Sequence, residues 1–363
     1  MPVSPRPVIV VEDDPFTRLI QIVLDPETSP ERRAAFADFM AHDEPDFPGW
    51  CGRVRQQASR LFPADVRMVD TPAAMLAALP EAQAVVVESF PIARAELAAA
   101  PKLRLVQKFG ALLRNIDAAA CADRGIAVRT LRRRANIACA EQAFALMLAL
   151  AKMIPRLNGM ISVEQLEAAG HAFRPFDRRH TPNGNWGRIP GMRMLNGTTV
   201  GIIGLGEIGQ EIAQRAGAFG MRTLYFQRKR LAEAEERALR AEYVPFDDLL
   251  AESDWIVPQV PGAAETRGLV GREQLARMKS GACIVNVSNA AIIDRAALLE
   301  ALNAGRLGGF ALDPLYEEPG RSDDELLRFD NVILVPHMAG SPRTNGLDDF
   351  AELIAGLASA MPE

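Results

Sequence analysis

Short apolar runs alternate with Ala-rich stretches along the first third of the chain. Residues 8–11 (VIVV), 66–69 (VRMV), 84–87 (AVVV) and 103–108 (LRLVQK) read as strands. Residues 72–79 (PAAMLAAL) and 93–100 read as helices between them. Alternation of this kind predicts a parallel sheet covered by helices. Residues 25–63 are richer in Pro, Asp and Arg and fit either an insertion or a helical excursion. Residues 137–154 (IACAEQAFALMLALAKMI) are apolar almost all round, which predicts a helix buried between layers or domains. Residues 170–198 are dominated by Pro, Gly, Asn and Arg and predict a long loop. Strand–helix alternation then resumes, with TVGIIGLG, RTLYFQ, DWIVPQV, ACIVNVS, FALDPL and NVILVP as strands and a helix over 210–219.

A chain of 363 residues exceeds one ordinary core, so the pattern is expected to divide into two domains. Hydrophobic residues make up 48% and charged residues 24%, an ordinary globular composition. The formal net charge of −5 supplies no electrostatic reason for nucleic acid or an anionic membrane as partner. The four cysteines stand far apart, without metal-ligand spacing or a disulfide framework, as reduced thiols of a cytoplasmic protein would. The opening MPVSPRPVIVVEDD lacks the basic-then-apolar order of a signal peptide, and the longest apolar runs, such as 143–151, are too short to span a bilayer. A soluble protein is expected.

The firmest chemical signal is TVGIIGLGEIG, with Gly204-x-Gly206-x-x-Gly209 between an apolar strand and an amphipathic helix. A second strand follows, completing a βαβ unit of dinucleotide-binding size. Gly204 permits the tight turn, Gly206 leaves room for a pyrophosphate, and Gly209 lets helix and strand approach closely. Phosphates then meet unpaired N–H groups at a helix N-terminus. NAD sites commonly place a carboxylate at the end of the second strand for the ribose 2′-OH. Here that position is Gln227, followed by Arg228, Lys229 and Arg230. A missing carboxylate and adjacent cations favour a 2′-phosphate, hence NADP(H) over NAD(H).

The opening VIVVEDDPFTRLIQIVL resembles the first strand and helix of a response-regulator receiver domain. That domain needs a phosphoacceptor Asp ending a later strand, whereas AVVVESF ends in Glu88 and Ser89. A strand followed by an acidic loop is the expectation instead.

From about Leu103 to Gly340 the chain resembles the D-2-hydroxyacid dehydrogenases, a family that includes glyoxylate/hydroxypyruvate reductases and phosphoglycerate dehydrogenases. NGTTVGIIGLGEIG, ETRGLVGREQLARMKSGACIVNVS, AALLEALNAGRLGGFALD and NVILVPHMAG carry the likeness. Residues 1–100 match only in general pattern. The resemblance implies hydride transfer between a nicotinamide and a carbonyl/alcohol pair, with His337 of PHMAG as general acid/base and Glu318 of ALDPLYEEP as its partner. It also implies cofactor contacts at Glu207 and Ile208 in the glycine turn, at Pro261 and Thr266 after the fourth strand, at Val287, and at Asp313 for the carboxamide.

Two stretches depart from the family. Its catalytic Arg, which clamps the substrate carboxylate, lies in a motif reading roughly N-x-x-R-G-x-x-V-D; here Asn289 stands at the Arg and Ala290 at the Gly. Asn is neutral and cannot form the bidentate fork, so an ordinary 2-keto acid should turn over poorly, with Asn289 a neutral polar contact to substrate. The family's substrate loop, similar to G-x-G-x-D-N-I-D, appears as Phe109, Gly110, Ala111, Leu112, Leu113, Arg114, Asn115, Ile116 and Asp117. Phe109, Gly110, Ala111 and Arg114 are therefore the candidate substrate contacts, although Arg114 also fits a surface pair with Asp117. A run of three arginines, Arg132, Arg133 and Arg134, replaces a stretch of the family that is often Pro- and Gly-containing. The substrate either lacks a 2-carboxylate or holds its acid group against Arg114 or this arginine loop.

The expected fold class is α/β: two Rossmann-like domains with parallel sheets, a flavodoxin-like substrate domain (1–134 and 338–363) and an NAD(P)-binding domain (135–337). The resemblance implies an active site in the cleft between them and a homodimer formed near the 137–154 helix. The competing expectation is a nucleotide-binding sensor or scaffold with little turnover; the retained His337 and Glu318 argue against it.

Overall fold

The computed structural model describes residues 6–361. Residues 1–5 and 362–363, which the expected substrate domain includes, lie outside the described residues. The chain divides into two compact units, one of the described residues up to Ala138 together with those from Gly340 on, the other Cys139–Ala339.

The first unit is built on strands β1 (Val8–Glu12), β2 (Asp65–Val69), β3 (Ala84–Val87), β4 (Leu105–Lys108) and β5 (Ala127–Arg129). They pair in the order β2-β1-β3-β4-β5, all parallel. Every residue of β3 and β4 is buried, as strands covered on both faces require. The stretch 25–63 is a helical excursion. Helix Pro30–Met40 starts on a Ser29 cap, and helix Phe47–Gln57 on an Asp46 cap that accepts from the Gly49 N–H. Phe47, Trp50, Cys51 and Val54 of the second helix enter the core. The C-terminal helix Thr344–Ala360 returns to the same core through Leu347, Phe350, Leu353, Ile354 and Leu357. Its buried Asp349 accepts from the Arg134 backbone N–H and from Arg134 Nη1, both at 2.9 Å.

The acidic loop after β1 has a specific use. Glu12 is 7% exposed. Its carboxylate accepts from the backbone N–H groups of Glu88 (2.7 Å), Ser89 (2.8 Å) and Phe90 (3.0 Å), and from the Ser89 hydroxyl. It occupies the point where the strand order reverses, between the ends of β1 and β3.

The second unit contains β6 (Thr199–Ile203), β7 (Arg222–Phe226), β8 (Ala241–Tyr243), β9 (Trp255–Pro258), β10 (Cys283–Asn286), β11 (Gly309–Leu312) and β12 (Val332–Leu334). The parallel order is β12-β11-β10-β9-β6-β7-β8. Its reversal falls between β9 and β6, where open α/β sheets collect ligands beyond the strand ends. The helix expected over 137–154 runs Arg134–Ala151 and is not buried all round. Ala140, Ala143, Phe144, Met147 and Ala151 form one buried stripe, while Glu141 and Ala145 are exposed. Met153, at φ 55°, leaves the right-handed region and stops it. The loop 170–198 holds no helix or strand. Among the described residues no helix is long and apolar enough to cross a membrane.

A charged knot locks β7 to the helix Glu233–Leu239. Glu236 accepts from the Tyr225 hydroxyl at 2.6 Å and from Arg230 at 2.8 Å through both carboxylate oxygens. The Arg230 and Tyr225 hydrogen bonds pull the Glu236 carboxyl down to about 2. Burial and the bond to Glu236 push the Tyr225 phenol up to about 12. A depressed carboxylate contributes stability that is complete above its unfolded value, near 4.5, and is lost as pH falls through its folded value. Glu236→Gln is expected to cost about 1 kcal/mol at pH 7, Arg230 being exposed and screened. It should also flatten the acid decline of thermal stability between pH 4.5 and 2, as read by calorimetry across that range. An unchanged acid limb would mean that the knot does not carry this pH dependence.

Candidate active site and cofactor site

The glycine turn follows β6, and the helix behind it, Glu207–Ala218, begins at the turn itself, three residues earlier than the sequence suggests. Gly204 has φ 96°, and a Cβ there would lie 2.6 Å from the Gln259 carbonyl oxygen. A Cβ on Gly209 would lie 2.4 Å from the Gly204 carbonyl oxygen. Gly206 is the cap residue of the helix, and a Cβ there would meet nothing within 4 Å. The first and third glycines are therefore demanded by the protein's own packing. The second leaves open space before the helix N-terminus, a cradle for an anion. Glu207 and Ile208 form the first turn of that helix.

Gln227 closes the turn from the neighbouring strand. Its Oε1 accepts from the Leu205 N–H at 3.1 Å, and its Nε2 donates to the Lys229 carbonyl at 2.6 Å. Of the three cations that follow, Arg230 is held by Glu236 and lies 5.5 Å over the Tyr243 ring. Arg228 and Lys229 are exposed and make no ion pair among the described residues. Thr266 Oγ1 donates to the Pro261 carbonyl at 2.6 Å and accepts from the Ala263 N–H at 2.9 Å, so both residues shape one turn. Val287 is buried just after β10.

Sequence reasoning missed Gln259. It directly follows β9 at the strand reversal, and both polar atoms of its amide are buried without a hydrogen-bond partner among the described residues, as is Nε2 of Gln210. An unsatisfied buried polar group costs about 1–3 kcal/mol. An open glycine cradle beside an amide lacking both a donor and an acceptor fits a ligand with phosphate and polar groups, as a nicotinamide dinucleotide has. The strand-end position of Gln259 was the available signal.

His337 and Glu318 meet. The ring Nδ1 lies 2.9 Å from Glu318 Oε2, and Glu318 Oε1 accepts from the Leu315 N–H at 2.9 Å. The hydrogen bond from His337 holds the Glu318 carboxyl below the usual carboxylate range. An ionised carboxylate can only accept, so Nδ1 carries the proton of the neutral ring and Nε2 is left for another partner. His337 has φ 50°, a left-handed conformation unusual for a side-chain-bearing residue. Asp313 imposes it. The Asp313 carbonyl accepts from the His337 N–H at 3.0 Å, and its carboxylate accepts from the N–H groups of Met338, at 2.7 Å, and Ala339. Asp313 is fully buried, which pushes its carboxyl up from the ordinary value. The residue expected to meet the carboxamide is thus also the clamp of the His337 turn.

Asn289 lines the same cavity of about 560 Å³ as His337, Glu318, Ser288, Tyr316 and Arg267. Its Oδ1 accepts from the Ala291 N–H at 2.9 Å, capping the short turn Ala290–Ile292. Its carbonyl accepts from Asn286 Nδ2 at 2.8 Å. Its Nδ2 packs against Gly262, where a Cβ would lie only 2.2 Å away. Half of the amide is therefore committed to the loop.

The remaining candidates belong to the other unit. Phe109 leaves only its backbone available for the contact expected of it. Its side chain is buried, 5.1 Å from the Phe350 ring and stacked under the Arg133 guanidinium at 4.1 Å, so it serves the core and can offer a substrate only its backbone. Gly110, at φ 153°, accepts from the Leu131 N–H at 2.8 Å. Ala111 and Arg114 are exposed, and Asp117 caps the helix Ala118–Asp123. Within the arginine run, Arg134 is bound by Asp349 and Glu352, and Arg133 by Glu88 at 2.9 Å.

Comparison with known proteins gives these features a family. The family described as D-isomer specific 2-hydroxyacid dehydrogenase, NAD binding domain, matches residues 144–339. A glyoxylate reductase of Pyrococcus horikoshii is 39% identical over 256 residues, 70% of this chain and 72% of that protein. A D-3-phosphoglycerate dehydrogenase of Archaeoglobus fulgidus is 37% identical over 78% of this chain, which spans about half (51%) of that longer protein. The crystal structure of holo D-mandelate dehydrogenase from Rhodotorula graminis shares the fold, with a TM-score of 0.57, 23% identity, and coverage of 97% of this chain and 93% of that one. The chain belongs to the D-isomer-specific 2-hydroxyacid dehydrogenase family of nicotinamide-dependent oxidoreductases.

Proposed function

We propose that this oxidoreductase interconverts a carbonyl and an alcohol at the cavity beside His337, and that it turns over ordinary 2-keto acids poorly. The observation that carries the reading is the His337–Glu318 pair at 2.9 Å, held on a left-handed residue by the buried Asp313. When bound, the nicotinamide supplies or accepts the hydride. His337 gives a proton from Nε2 to the substrate oxygen in reduction and takes it back in oxidation, while Glu318 fixes the ring and balances its charge. Asn289, neutral and half committed to its own loop, contributes at most one N–H to the substrate. The first unit is the substrate-binding domain in this reading. A homodimer formed near helix Arg134–Ala151 is part of this reading. The test is oxidation of NADPH and NADH over a panel of glyoxylate, hydroxypyruvate, aldehydes and ketones. Tight cofactor binding without oxidation across the panel would overturn the reading in favour of a nucleotide sensor.

We also infer a preference for NADP(H). Gln227 offers no carboxylate to repel a 2′-phosphate, and beside it Arg228 and Lys229 are exposed without an ion pair among the described residues. Charge-assisted hydrogen bonds contribute about 1.5–3 kcal/mol. Arg228→Ala should therefore weaken NADPH binding about 10–100-fold while leaving NADH within a factor of two, as measured by tryptophan fluorescence titration. Equal losses for both cofactors would refute the assignment.

A further inference from the structure

The cavity beside His337 has on its wall an arginine that makes no ion pair among the described residues. Two arginines are among its lining residues, Arg295 and Arg267. Arg295 is engaged, with Asp324 at 2.9 Å and Glu325 at 3.5 Å. The carboxylates on the lining are engaged as well. Glu318 holds His337, and Asp294 caps the helix Arg295–Asn303 by accepting from the Ala297 N–H at 2.8 Å. Arg267 is exposed and makes no ion pair among the described residues.

Its stem is nevertheless fixed. The Arg267 N–H donates to the Ala263 carbonyl at 3.1 Å, and the next residue, Gly268, donates to the Ala291 carbonyl at 2.7 Å. Val270 then pairs with Ile293 as an isolated parallel bridge. The segment bearing Arg267 is thus laced to the segment that begins at Asn289. An anchored backbone on the cavity wall, bearing an arginine without an ion pair among the described residues, suits an anion clamp.

We propose that Arg267 is a specificity-determining residue that holds the carboxylate of an oxo-acid substrate in place of the cation missing at position 289. This rests on the cavity beside His337 being the substrate site, and it deepens that reading by giving the substrate an anionic group. The fork now comes from a different backbone segment, so the carboxylate sits differently from one held at residue 289. Poor turnover of ordinary 2-keto acids and retention of an acid-bearing substrate are then compatible.

The test uses the cofactor-loaded protein with two readouts. In the first, Arg267→Gln raises KM for carboxylate-bearing carbonyls about 10–100-fold more than for neutral carbonyls of the same size, and Arg267→Lys recovers part of the loss. Equal changes on acids and neutral compounds would overturn the proposal. The second readout needs no turnover: calorimetric binding of oxalate, an unreactive carboxylate, to wild type and variants. Loss of oxalate binding in Arg267→Gln supports the clamp even if no panel substrate is reduced, in which case only the proposed activity falls. Oxalate binding that is absent from the wild type, or unchanged in Arg267→Gln, refutes the clamp. Should Arg267→Gln fail to fold, the oxalate affinity of Arg267→Lys decides, because a flexible ammonium cannot reproduce the fork and must bind more weakly. The double variant Arg267→Gln/Asn289→Arg regains oxalate binding if the two positions serve one anion, and unrelieved loss counts against a shared role.

Discussion

Replacing His337 by Asn should lower kcat by about 10²–10⁴-fold, the usual contribution of a positioned acid/base, and leave the dissociation constant of the cofactor within a factor of two. Asn is the informative replacement because position 337 sits at φ 50°, and Asn tolerates the left-handed region better than other neutral residues do. The Asp313 clamp acts on backbone groups of residues 337–339, so it survives the change. A Gln at this position would confuse loss of the proton donor with strain in the turn. Steady-state rates with saturating NADPH, together with fluorescence titration of the cofactor, separate chemistry from binding. A variant that keeps more than a tenth of wild-type turnover would remove His337 from the chemistry, whatever its distance from Glu318.

Asn289→Arg acts in the opposite direction. Loss of a charge-assisted contact to a developing oxyanion costs about 2.7–4 kcal/mol, or ~10²–10³ in rate, so restoring the guanidinium should raise kcat/KM for glyoxylate by roughly 10²-fold. The gain has a cost that the structure makes explicit. Asn289 caps the turn Ala290–Ile292 through the Ala291 N–H and packs against Gly262. Loss of such a cap destabilises by about 1 kcal/mol, so the melting temperature should fall by a few degrees while the activity rises. Increased glyoxylate reduction in a slightly less stable protein is the expected pair of results. A drop in stability with no gain on glyoxylate or hydroxypyruvate would mean that the surrounding cavity, and not residue 289 alone, was rebuilt for another substrate.

How much of this was legible before the structure depends on how local each feature is. Strands β3, β9, β10 and β11, and β6 from Val200 on, are buried on both faces, so they appear as largely apolar runs, whereas the equally buried β4 carries Gln107 and Lys108. Strands β5 and β8 escaped, because each is three residues long at a sheet edge, and AVR and AEY carry no such signal. The helices over 30–57 hide in mixed composition, and only their Ser29 and Asp46 caps announce them. The glycine turn was legible because its three requirements lie within six residues. What sequence could not show was which side chains the protein itself consumes. Gln227 is bound to Leu205, Thr266 to its own turn, and Phe109 is covered by Phe350 and Arg133. Arg267 lies within a stretch that matches the family, where it is easily passed over; its place on the cavity wall without an ion pair among the described residues is visible only in the structure.

The two sheets differ at their reversal points, and Glu12 is the reason. In the second unit the corresponding space opens before a helix N-terminus, in front of Gly206. In the first unit three backbone N–H groups and a hydroxyl already grip a carboxylate that the chain carries on its own first strand. A tethered anion competes at a high effective concentration, on the order of millimolar for short linkers. One side chain thus makes the molecule asymmetric in its ligands. Two similar parallel sheets share one chain, yet the first fills its reversal point with its own carboxylate while the second keeps open space before Gly206.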